Sequence, residues 1–226
     1  MFATVLNMAD AIVGASSWEV AEEIDRRVIE MFARVTNAIT GATLALLSDD
    51  RDAALSLVAE DARIDDLYRE IERVVAGHLI KGTASADRAR YLLTVFRMLP
   101  ELERSGVLAD HIARQAQHGR AAQMSARARG LVERMGEIAS KMWHLAADAF
   151  GDRVPDGGTQ LDSCDDELDS LSHALLDDLS LCTMSQSMII ELTLTARFYE
   201  RLGDHAVNLA RLTSDRLPSL LSEVKR

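Results

Sequence analysis

Proline and glycine are scarce in this 226-residue chain, at three and twelve, and aromatic residues make up 4% of it. A β-sandwich or barrel needs turn residues every ten or so positions and strands rich in β-branched and aromatic residues, so the composition argues against both. The two cysteines, Cys164 and Cys182, form no CxxC pair. Neither a disulfide framework nor a zinc ribbon is expected, and both are read as reduced thiols. No uninterrupted apolar run reaches the roughly eighteen residues of a membrane span. The N-terminal stretch is apolar, but it opens without Lys or Arg and carries Asp10. It is not expected to be a signal peptide, and the protein is read as soluble and cytoplasmic. Positive charge is also short: 25 Lys and Arg stand against 36 Asp and Glu, a net charge of −11. Such a chain suits cations, metals or basic partners, and no nucleic-acid partner is expected.

What remains is the composition of a helical globule, 48% apolar. Helical periodicity covers almost the whole chain. Residues 19–47 read as a first helix, with Ile24, Val28, Met31, Val35, Ile39 and Leu44 on one face. The Ser48-Asp49-Asp50 cluster reads as a turn and N-cap. A second helix covers 51–80 and ends at Gly82, suited to a left-handed cap. A third covers 86–119, with a kink expected at Pro100. A fourth covers 123–150, followed by the clearest break in the chain, at Gly151, Pro155, Gly157 and Gly158. The fifth and sixth cover 160–181 and 185–216.

Three helices followed by three helices suggest a repeat. A shift of 97 lays Glu103-Arg104-Ser105-Gly106-Val107 on Glu200-Arg201-Leu202-Gly203-Asp204, and Leu92, Leu93 and Val95 on Ile189, Ile190 and Leu192. A shift of 104 lays Asp61 and Asp65 on Asp165 and Asp169, and Met31 on Met135. The shifts differ by two helical turns, as a shorter hairpin in the second half would require. The expected fold is therefore all-α: two tandem three-helix bundles, six long antiparallel helices in all, related by internal duplication. Residues 1–18 form an unassigned extension, 19–120 the first bundle and 121–226 the second.

Carboxylates at i and i+4 share a helical face and repel each other. Asp61/Asp65 and Asp165/Asp169 are such pairs, one per copy, and Glu200/Asp204 is a third. In the first copy Glu103 is followed by Val107, with Asp110 further along the same face. Convergent carboxylates suit hard cations, iron or manganese. The plain alternative is a solvated acidic face. Mid-helix Gly203 costs about 1 kcal/mol relative to alanine, so close packing is expected there.

The stretch Glu200-Arg201-Leu202-Gly203-Asp204-His205-Ala206-Val207-Asn208-Leu209-Ala210 resembles the E-R-x-G-D-H-A-x-N-x-A signature of the PhoU family of bacterial phosphate-uptake regulators. Asp61-Ala62-Arg63-Ile64-Asp65 and Asp165-Asp166-Glu167-Leu168-Asp169 are similar to the family's other recurring acidic element, and Glu133-Arg134-Met135-Gly136-Glu137 to its Met-Gly step. The resemblance covers roughly residues 19–216. It implies paired three-helix bundles whose acidic motifs face a common surface and in some members hold metal. The metal ligands it implies are Asp61, Asp65, Glu103, Asp110, Asp165, Asp169, Glu200 and Asp204, and the ion is iron, zinc, manganese or magnesium. It further implies repression of phosphate-starvation signalling through contacts with a phosphate ABC transporter and a sensor histidine kinase, a homodimer, and a place at the membrane through those partners. The chain departs from the pattern at Val107, where aspartate is expected. Either Asp110 substitutes one turn later, or that half has lost its metal. The second copy has Ser187 where the first has Arg90.

A catalytic di-metal bundle needs Glu-x-x-His on two helices, and the chain has none. Nor is there a Gly-rich phosphate loop, a serine elbow or a nucleophilic cysteine context. The protein is not expected to be an enzyme, and a metal-free helical interaction scaffold is the second reading.

Overall fold

A computed structural model describes residues 17–82, 84–152 and 158–216. Most of the N-terminal extension, and the break at Pro155 and Gly157, lie outside the described residues, as does the side chain of Asp61. Six long helices follow one another: α1 (Ser17–Ser48), α2 (Arg51–Lys81), α3 (Ala86–Ala116), α4 (Ala126–Asp152), α5 (Gly158–Leu181) and α6 (Gln186–Arg216). A 3₁₀ turn, Ala121–Gln123, links the halves. No strand occurs among the described residues.

Local chemistry explains the boundaries. Asp50 caps α2, its carboxylate accepting from the Ala53 amide at 2.9 Å. Gly82 ends α2 with φ 63°, and its N–H bonds the Leu79 carbonyl. Ser85, Ser125 and Ser185 accept amide hydrogens from the first turns of α3, α4 and α6. α3 stops three residues short of the expected 119, because Gly119 adopts φ 64° and turns the chain. α4 accordingly starts at Ala126, not 123. α3 runs unbroken through Pro100.

Most of the predicted α1 face is buried: Ile24, Val28, Met31, Val35 and Ile39 are at most 1% exposed. Leu44 is a correction, at 63% exposed. It stands five residues after Ile39, about 140° off the buried stripe, which continues instead through Ala42, Ala45 and Leu46. Met31 and Met135, equivalent under the repeat, are both fully buried.

Within each half the three helices pack on one another, and between halves α1 packs on α4 and α3 on α6. Both cross-pairs are antiparallel. Ser105 meets His205 while Gln115 meets Thr195. Thr40 and Ser140 bond at 3.0 Å, and Arg129 reaches back to the Leu47 carbonyl. Two equivalent, antiparallel objects in contact are related by an approximate two-fold axis, which passes between the halves. One continuous apolar core runs through both, from Val20 to Ala210. One buried polar bond crosses it, the Tyr199 hydroxyl meeting Thr43 Oγ1 at 2.7 Å, and at the end of α1 Asp49 accepts from the Ala121 amide of the linker at 2.9 Å.

Candidate functional site

The acidic motifs lie where α5 meets α6 and where α2 meets α3. Gly203 brings the first pair together. A Cβ at this position would stand 2.8 Å from Leu168 Cδ2, 3.2 Å from Asp165 Oδ1 and 3.3 Å from Met142 Cε. The glycine therefore lets α5 lie directly against α6, with Asp165 over the contact. Its repeat-mate Gly106 lines one cavity with Ile64, the repeat-mate of Leu168. The two halves thus use the same register at this step.

Four carboxylates of the second half act on one another. Burial, then the charges of Asp169 and Asp204, raise the Asp165 carboxyl above its ordinary value. Burial, then Glu200 and Asp204, raise that of Asp169, against a smaller opposite pull from His173. Glu200 is already engaged on both oxygens, accepting from Ser172 Oγ at 2.6 Å and from Arg197 at 2.9 Å.

The first half is sparser. Burial and then the charge of Asp65 raise the Glu103 carboxyl, with Arg104 opposing. Asp110 lies two turns further along α3 and faces a different space. It is 8% exposed; Oδ2 accepts from Arg114 Nε at 2.6 Å, and Oδ1 has no hydrogen-bond partner. It borders a cavity of about 20 Å³ between α1, α2 and α3, lined also by Arg34, Ala38 and Leu57.

Oxygen donors of this kind suit a hard cation. As the side chains stand, no three His, Cys, Asp or Glu groups among the described residues approach closely enough to share one ion. The second-half cluster is thus a concentration of negative charge and not a preformed chelate. Holding an ion there would require Glu200 to release Arg197 or Ser172.

A polar constellation that the sequence reading passed over lies on the α3–α6 seam. His205 is 7% exposed. Its Nδ1 lies 2.8 Å from Ser105 Oγ, and its Nε2 lies 3.3 Å from Glu101. A signal was present in the repeat: the shift of 97 pairs His205 with Leu108 and Ser105 with Leu202, so each polar residue replaces a leucine. No helix among the described residues is long and apolar enough to cross a membrane.

Duplicated bundles with a carboxylate face on each copy define a helical, two-repeat class of protein. The PhoU domain matches the chain twice, over residues 28–116 and 132–213, and the chain belongs to this family. The two matched stretches start 104 residues apart and end 97 apart, the same two offsets as the internal repeat. The chain is 28% identical over 200 residues to "Phosphate-specific transport system accessory protein PhoU homolog 2" of Mycobacterium tuberculosis, covering 85% of this chain and 92% of that one. It is 26% identical to the PhoU homolog of Rhizobium meliloti, over 90% and 87% of the two chains. The crystal structure of PhoU from Pseudomonas aeruginosa superposes with a TM-score of 0.79 at 25% identity, covering 85% of this chain and 94% of that one. A phosphate transport regulatory PhoU from Streptococcus pneumoniae, at 19% identity and a TM-score of 0.74, shares the fold.

Proposed function

We propose that the chain is an accessory regulator of a phosphate-specific transport system, acting by protein contact and not by catalysis. The observation that carries this reading is the family match in both halves, in the register of the acidic motifs. The relatives are named as accessory or regulatory proteins of phosphate transport. In this reading the chain works in the cytoplasm, contacts the transporter and a sensor histidine kinase at the membrane, forms a homodimer, and lowers expression of phosphate-starvation genes. Its working units are residues 19–120 and 121–226.

The mutual repulsion of Asp165, Asp169, Glu200 and Asp204 supports a cation at the second acidic face, neutralising charges that otherwise destabilise each other. Asp61, Asp65 and Glu103, with or without Asp110, are the corresponding first-half set. Val107 removes one donor there, so the second half is the stronger site. Iron, zinc, manganese and magnesium all fit oxygen donors, and availability decides among them. The metal-free scaffold is the alternative, favoured by the prior engagement of Glu200.

Deleting the gene in phosphate-rich medium is expected to raise phosphate-uptake gene expression, and the transporter is expected to co-purify with the tagged chain. Unchanged expression together with no co-purifying transporter subunit or sensor kinase would overturn the regulator role and leave the fold untouched.

A further inference from the structure

The cavity beside Gly106 has a counterpart in the second half, and the two are built differently. The offsets of 104 and 97 lay each residue of its wall on a second-half partner. Most pairs keep their character, Gly106 with Gly203 and Ile64 with Leu168 among them. Three do not. Arg34 stands where the second half has Ile138, Ala38 where it has Met142, and Asp110 where it has Val207. In the second half this step is packed. Ile138, Met142 and Val207 are at most 5% exposed, and Met142 Cε stands 3.3 Å from where a Cβ of Gly203 would lie. In the first half, alanine in place of methionine leaves room at the same step, and the arginine and aspartate make its wall polar. Room and polarity together are what an internal water requires, whereas a simple packing defect is apolar and stays dry.

The carboxylate shows what is missing. Asp110 is 8% exposed; Arg114 holds Oδ2 at 2.6 Å, and Oδ1 has no hydrogen-bond partner among the described residues. Buried acceptors as a rule have a protein or water partner, because an unmatched one loses its hydration for nothing. The cavity that Asp110 borders, about 20 Å³, exceeds the roughly 10–15 Å³ that one water needs. Arg34 lies on the same wall. Its Nε donates to Glu30 at 2.9 Å, and a guanidinium has more N–H donors than one carboxylate oxygen takes, so donors remain for a guest. The guest therefore donates to Asp110 and accepts from Arg34. Charge narrows it further. A cation would meet a carboxylate already paired with Arg114, beside the positive charge of Arg34, and an anion would face the carboxylate. A neutral donor and acceptor meets neither objection.

We propose that this cavity is a binding site for one internal water, which donates to Asp110 Oδ1, accepts from Arg34, and ties α3 to α1 where the second half uses a methionine. Asp110 is then a water ligand and not a member of the first acidic set. The site is independent of the transport reading.

A crystal structure of the full chain, at a resolution that places waters, is expected to show one within hydrogen-bond distance of Asp110 Oδ1. Asp110→Asn keeps an acceptor oxygen and should retain that density; Asp110→Val should lose it. Crystals soaked in thallium(I) or manganese(II) should give no anomalous peak at Asp110. A peak there returns the residue to the cation set and overturns the proposal, as does Arg34 turned inward onto Oδ1 or the absence of density in the unaltered chain. Thermal unfolding adds a readout that a plain packing role would not move. Ala38→Met installs the second-half residue and displaces the water. In the unaltered chain it should lower the melting temperature by about 2–6 °C, because Asp110 loses its partner. In Asp110→Val the same change should raise it, because it fills a space that has become dry. Circular dichroism checks that the variants fold, and the crystallographic comparison of Asn with Val decides if Ala38→Met does not. Equal effects of Ala38→Met in the two backgrounds overturn the water bridge.

Discussion

Ser105 on α3 and His205 on α6 meet at 2.8 Å across the seam between the two halves, and their equivalents under the repeat are two leucines, Leu202 and Leu108. The pair places a titratable group in the core. Burial lowers the His205 pKa first of all, Arg201 and Arg104 lower it further, and Glu101 and Asp204 oppose them. The folded chain thus holds a neutral imidazole, while the unfolded chain takes a proton near pH 6.5. Stability from this site is complete above that pH and is lost as pH falls below it. Urea unfolding between pH 7.5 and 5.5 should show this slope, and His205→Gln should flatten it. An unchanged slope in the variant assigns the pH dependence elsewhere.

Two glycines on α4 should respond in opposite ways to alanine. A Cβ at Gly136 would stand 2.9 Å from Thr43 Cβ, an atom fixed to the α1 backbone. Gly136→Ala should cost about 1–3 kcal/mol by prising α1 from α4. Gly130 has open space around it, and Gly130→Ala should stabilise by up to about 1 kcal/mol through helix propensity. Thermal unfolding of both variants decides whether the α1–α4 contact is as close as described.

The carboxyl of Asp165 is raised, so in the metal-free protein its ionised form opposes folding above that raised pKa and ceases to as pH falls through it. Asp165→Asn should therefore raise the melting temperature at pH 7 in chelator, by no more than about 2 °C given solvent screening, and should lose this advantage near pH 4. A variant less stable than its parent at pH 7 would show that Asp165 has a favourable partner.

With metal supplied, the double change Glu200→Ala and Asp204→Ala should lower the bound metal per chain, read by elemental analysis on protein whose helical fold is checked by circular dichroism. Asp204 is exposed, whereas Glu200 is half-buried and holds the buried Ser172 hydroxyl and Arg197, so the double variant is also expected to lose about 1–2 kcal/mol of stability while keeping its helical fold. Unchanged metal content removes these two residues from any cation site and favours the scaffold reading.

Much of this architecture was legible in the sequence because it rests on local chemistry. Asp50 and Gly82 announced the turns they make, and the paired offsets of 97 and 104 carried the duplication. Leu44 failed because a stripe of period 3.6 permits several continuations, and the partner helix decides which one is buried. The seam role of His205 is not legible in the sequence for a related reason: its partners Ser105 and Glu101 lie a hundred residues away, on a helix whose neighbour is settled only when the two copies dock. The acidic spacings are visible in the sequence, yet spacing cannot tell that Ser172 and Arg197 already occupy Glu200.

The docking of α1 on α4 and of α3 on α6 also sets a schedule for synthesis. The first bundle leaves the ribosome complete in chain but with two of its helices lacking their cover, since Val35, Leu102 and Ile112 belong to a core that the later helices help to close. At about 5–20 residues per second, the wait for α6 is on the order of 5–20 s. During that interval the nascent half exposes apolar surface whose proper occupant is its own repeat. A neighbouring chain on the same polysome can offer the equivalent surface, so exchange of halves between chains is the characteristic misassembly to expect when translation outpaces closure.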